Sequence, residues 1–143
     1  MKKQFKSAFS LIELTLALGI AAFCLLTVFA LVPIAVLTNR NATSQTAATN
    51  VIASVIADMR ATTGSTSPQY GITFGTPKTL YFDGAGQFTT SLSTDSRYQL
   101  NVTWSSSGRD GLSYADVKAT WPAAATAANA TGSTEMFAAF DRN

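Results

Sequence analysis

From Leu14 to Leu37 the chain carries no charged side chain, and Glu13 stands immediately before that run. The run exceeds the roughly 20 residues that a helix needs to cross a bilayer core. Thr15 and Thr27 are its only hydroxyls, and in a helix each can bond back to a carbonyl of the preceding turn. Gly19 and Pro33 interrupt it, but both residue types are commoner in membrane helices than in soluble ones. Pro33 removes one helical hydrogen bond and predicts a kink. Lys2, Lys3 and Lys6 precede the run and Arg40 alone soon follows it. That asymmetry predicts a cytoplasmic N-terminus with the remainder of the chain outside.

Glu13 is out of place in such a segment. A charge within a spanning helix costs on the order of 2.5–3.5 kcal/mol at mid-membrane on insertion scales, and less towards the interface. Either Glu13 sits at the cytoplasmic headgroup level, solvated, or it awaits a cation from another chain, because the run itself offers no basic residue.

Ala8-Phe9-Ser10-Leu11-Ile12-Glu13-Leu14 resembles the cleavage and methylation motif of type IV prepilins and pseudopilins. In that family a short basic leader is followed by a small residue, Phe, Ser or Thr, two aliphatics, Glu and a long apolar helix. The resemblance implies cleavage by a membrane aspartic peptidase between Ala8 and Phe9, and methylation of the new Phe9 amine. It also implies that Glu13 pairs with that amine on a neighbouring subunit during filament assembly. Breaking a desolvated pair of this kind leaves a buried charge unmatched. The chain departs from the motif at Ala8, where the family usually has Gly; the departure bears on the efficiency of cleavage. The stretch Ser10 to Leu26, with the ending Asp141-Arg142-Asn143, is also similar to the prepilin-like Verru/Chthon cassette protein B group.

The motif divides the chain into a leader (1–8), a long helix (9–62, transmembrane over about 11–37) and a small domain (63–143). An ordinary signal peptide is the competing reading of the leader, but the apolar run is too long for one and begins with an acid. The formal charge of +2 loses its meaning if the leader is removed, since seven basic side chains then face eight acidic ones. No basic field for nucleic acid remains.

Beyond Leu37 the chain turns polar without Pro or Gly, and Val51, Ile52, Val55, Ile56 and Met59 then recur at spacings of one, three and four. This is one apolar helical stripe. It predicts a continuous helix from Ser10 to Ala61, roughly 75 Å at 1.5 Å per residue, ended by Gly64, Ser65, Ser67 and Pro68.

The remainder reads as short strands. Residues 71–74 are a weak candidate. Residues 79–82 and 87–90 flank Asp83-Gly84-Ala85-Gly86 as a hairpin. Tyr98, Leu100, Val102 and Trp104 alternate with polar residues, as do Ala115, Val117, Ala119 and Trp121, with a turn at 106–111 between them. Pro122 to Gly132 is an Ala/Thr-rich exposed loop, and a last strand covers about 134–141. The expected class is α+β: a type IV pilin-like long helix packed on a small antiparallel sheet, with Trp104 and Trp121 between sheet and helix.

Little chemistry is visible. The chain has no His, hence no imidazole dyad, triad or metal site, and its acids beyond the membrane are scattered. Asp83-Gly84-Ala85-Gly86 lacks the repeated acids of a calcium loop. Asn41, Asn101 and Asn129 begin sequons that we read as chance. Cys24, the only cysteine, reads as an apolar packing residue, so the C-terminal disulfide common in pilins is ruled out. That absence and the small sheet lean towards a minor pilin or pseudopilin. The expectation is a non-enzymatic structural subunit without cofactor or metal. Its expected partners are other pilin-like subunits, the prepilin peptidase/methylase, inner-membrane assembly machinery and lipid. The expected location is the inner (cytoplasmic) membrane, with the sheet domain periplasmic or extracellular. The alternative is a single-pass anchored binding module that does not assemble.

Overall fold

A computed structural model describes residues 10–106 and 111–141. The leader and the Ala8–Phe9 bond therefore lie outside the described residues, as does most of the turn expected at 106–111.

One helix, α1, runs Leu11–Ala61, 51 residues through Pro33 without a break. Its first turn closes on Ser10, whose carbonyl accepts from Leu14 N at 3.1 Å. At its other end the Thr62 hydroxyl donates to the Asp58 carbonyl at 2.6 Å, occupying an acceptor the helix itself leaves unpaired. Thr15 and Thr27 donate to the carbonyls of Ile12 and Cys24 at 3.0 and 2.7 Å, as the uncharged run requires.

The chain divides into two compact units at Arg40/Asn41. In the first, every described residue of α1 is exposed, and the apolar stretch is long enough to cross a membrane. In the second, α1 has a distinct buried face: Ser44, Ala48, Val51, Ile52, Val55, Ile56 and Met59. The expected stripe is present and begins two turns earlier than its large apolar members indicate.

Five strands form one antiparallel sheet in the order β2-β1-β3-β4-β5. They are β1 (Lys78–Asp83), β2 (Phe88–Thr89), β3 (Ser96–Ser106), β4 (Leu112–Trp121) and β5 (Gly132–Asp141). Alternation decides the faces. Leu80, Phe82, Tyr98, Leu100, Val102, Ala115, Val117 and Ala119 are buried, and with the α1 stripe they make one apolar cluster. Fully burying a Val, Leu, Ile, Phe or Met side chain contributes on the order of 1.5–3 kcal/mol.

The hairpin turn is held as its sequence indicates. Asp83 Oδ1 accepts from Ala85 N and Gln87 N at 2.9 and 2.8 Å, an Asx turn, and Gly86 takes φ +81°. The acid of this loop therefore serves backbone donors.

Residues 71–74 are not a strand. Only an isolated bridge joins Thr66 to Thr73, because the segment is spent tying the end of α1 to the sheet. Buried Ser67 exchanges backbone bonds with Ile72 and Gly71, and its Oγ accepts from Ile72 N at 3.1 Å. Asp58 accepts from Tyr70 N at 3.3 Å, and the Tyr70 hydroxyl lies 3.1 Å from Ser54 Oγ. Trp121 lies in the core, edge-on to Tyr98. Trp104, expected against the helix, instead packs between Phe74 of this segment and Phe140 of β5, and its Nε1 donates to the Thr76 carbonyl at 2.9 Å.

The 122–131 loop is mostly exposed, as expected, and β5 starts earlier than the sequence indicates because Gly132 faces Trp121 in register. A methyl group on Gly132 would approach within 2.8 Å of Trp121 Nε1, closer than packed atoms tolerate. Gly132→Ala should destabilise the sheet domain by about 1–3 kcal/mol, read as a lower Tm in thermal melts, whereas Gly64→Ala, with open space around it, should change little.

Candidate functional site

Glu13 is the third residue of α1, in its first turn. The unpaired N–H groups at a helix start favour an acid there by about 0.3–1 kcal/mol, so the backbone tolerates the charge without neutralising it. Around it on the helix surface lie Leu11, Ile12, Leu14 and Leu16, all exposed. Residues three and four positions away, Ser10, Leu16 and Ala17, supply no cation. Among the described residues Glu13 has no ion-pair partner. Cys24, further along the same helix, is a free exposed thiol. Ala8 and Phe9, the residues that the motif pairs with Glu13, lie outside the described residues.

The sheet domain carries the other electrostatic feature. On the face away from the helix, Lys118 of β4 pairs with Glu135 of β5 at 3.4 Å, both partly exposed; such a pair is worth about 0–1 kcal/mol. Asp116, two residues back on β4, has a covered Oδ1 without a hydrogen-bond partner. Burial raises its pKa first, the charge and hydrogen bonding of Glu135 raise it further, and Lys118 opposes them. Among the described residues no three His, Cys, Asp or Glu side chains come together as a metal site.

The sequence reading missed an apolar groove of about 680 Å³ between α1 and β5, lined by Ala53, Ile56, Ala57, Arg60, Met136 and Phe137. A signal for it exists: Met136 and Phe137 are adjacent on β5, so alternation cannot bury both. Phe137 is 76% exposed.

No protein-family model, curated protein or solved structure matches the chain.

Because the folded state favours protonated Asp116, that residue supports folding below the ordinary carboxylate pKa of about 4. The contribution is lost as pH rises through that value towards the raised one. Asp116→Asn should therefore raise the Tm of the detergent-solubilised chain at pH 7 and leave it nearly unchanged near pH 3, measured by circular dichroism at both.

Proposed function

We propose that this chain is a prepilin-like structural subunit, of the minor pilin or pseudopilin kind. It is cut after Ala8, methylated on Phe9, and packed through α1 into a type IV pilus-like filament or secretion pseudopilus. Before assembly it is held in the inner membrane with its N-terminus cytoplasmic and its sheet domain on the far side. Its partners are the peptidase/methylase that matures it, the assembly machinery and other pilin-like subunits.

The observation that carries this reading is Glu13. It opens a helix whose next two dozen residues are uncharged, it is exposed among leucines and isoleucine, and no cation of its own helix lies within reach. A carboxylate so placed calls for a counter-ion from outside the chain. After cleavage the free amine of Phe9 on an adjacent subunit has the right charge, and Phe9 stands four positions before Glu13 in the sequence. The pairing selects for register between neighbours, because a mismatched subunit leaves both charges desolvated and alone. The sheet domain supports a structural role: its inner face is filled by core packing.

Glu13→Ala should be cleaved as efficiently as wild type but fail to co-assemble with wild-type subunits, with incorporation into sedimented filaments falling by roughly tenfold or more, as expected for loss of a desolvated pair. Glu13→Asp should recover part of it. Undiminished incorporation of Glu13→Ala would defeat the pairing. Imaging surface filaments with an antibody to the sheet domain tests the assembled state itself.

A further inference from the structure

Outside the apolar run, the large hydrophobic side chains exposed among the described residues are Leu92, Tyr114, Met136 and Phe137. Tyr114 lies on β4, and the other three lie on or just beyond the two edge strands. Met136 and Phe137 belong to β5, one edge strand; Leu92 follows β2, the other edge strand. The β5 end is concave, the groove against α1. Beyond β2, Leu92, 49% exposed, stands next to a turn locked by Ser93 and Ser96. Ser93 N donates to Ser96 Oγ at 3.0 Å, the two hydroxyls lie 3.1 Å apart, and Ser96 N donates to the Ser93 carbonyl at 3.2 Å. A knob already ordered loses little conformational entropy on docking.

Charge follows shape. Arg60 lies at the groove and Asp95 lies three residues after Leu92; both are exposed, and neither is in an ion pair among the described residues. We propose that the α1/β5 groove receives Leu92 of a second copy of this chain, with Asp95 of that copy against Arg60. The proposal rests on the reading that the chain assembles with its own kind.

Knob and groove occupy different ends of one molecule, so the contact is heterologous. It leaves a free knob and a free groove on every dimer, and it propagates unless a rotation closes it. It also covers the apolar part of the β5 edge, which carries no proline and no register shift against β4, features that otherwise invite unspecific pairing.

Site-directed crosslinking of the full chain in its membrane tests this. Cys24→Ser removes the native thiol; Leu92→Cys and Ala57→Cys, both at exposed positions, place thiols on knob and groove. The chain carrying both should give a ladder of crosslinked multimers on oxidation. A mixture of the two single variants should stop at dimers, and either alone should stay monomeric. Asp95→Arg should reduce the ladder roughly fivefold, and adding Arg60→Asp should restore it. Multimers that sediment without any Leu92–Ala57 crosslink would overturn the docking and leave the subunit reading standing. A chain that neither sediments nor crosslinks would overturn both, Leu92→Cys crosslinking to itself would overturn the head-to-tail arrangement, and an undiminished ladder in Asp95→Arg would overturn the charge pair.

Discussion

The sheet domain exists because α1 covers it. The inner face of the strands, from Leu80 to Phe140, is too apolar to meet water, and among the described residues the sheet is one layer with no second sheet behind it. A domain needs at least two packed layers, and the face of α1 from Ser44 to Met59 is the second. The small residues Ala48 on the helix and Ala115 and Ala119 on β4 are fully buried. They leave volume for Ile52, Val55 and Met59. A chain of this size has little apolar area to spare, so the helix cannot be trimmed from the domain without unfolding it.

Before residue 41 the same helix is exposed on every side, and from Leu14 to Leu37 it is apolar all round and long enough to cross a membrane. Its threonine hydroxyls are turned back onto its own carbonyls, which would satisfy them where water is absent. One continuous helix thus carries two surface patterns, and the polar stretch around Thr38 to Thr43 is where they change. Glu13 fits neither pattern: it is exposed beside an uncharged run, with no ion-pair partner among the described residues.

Much of this was legible in the sequence, for physical reasons. Apolar stripes and alternating strands are local patterns, so the buried face of α1, the Tyr98–Trp104 and Ala115–Trp121 strands and the Asp83–Gly86 turn could be read directly. The connection from Thr62 to Pro77 could not. Its order comes from Tyr70 and Trp104 bonding to groups far away in sequence and from Ser67 bonding across its own loop, and Ile72-Thr73-Phe74 mimics a strand without pairing as one. The approach of Gly132 to Trp121 depends on strand register, and the groove depends on which strand of the sheet is left at the edge; neither is a local property. The proposed cleavage and methylation site is the reverse case: a short motif carries it, around a bond outside the described residues.

The mass of the mature chain, extracted from its native membrane and measured intact, decides whether the amine proposed as the partner of Glu13 is made. The expected product is a polypeptide that begins at Phe9 with one methyl group on its amine. A chain recovered with Lys2, Lys3 and Lys6 still attached, migrating as a monomer, would contradict it.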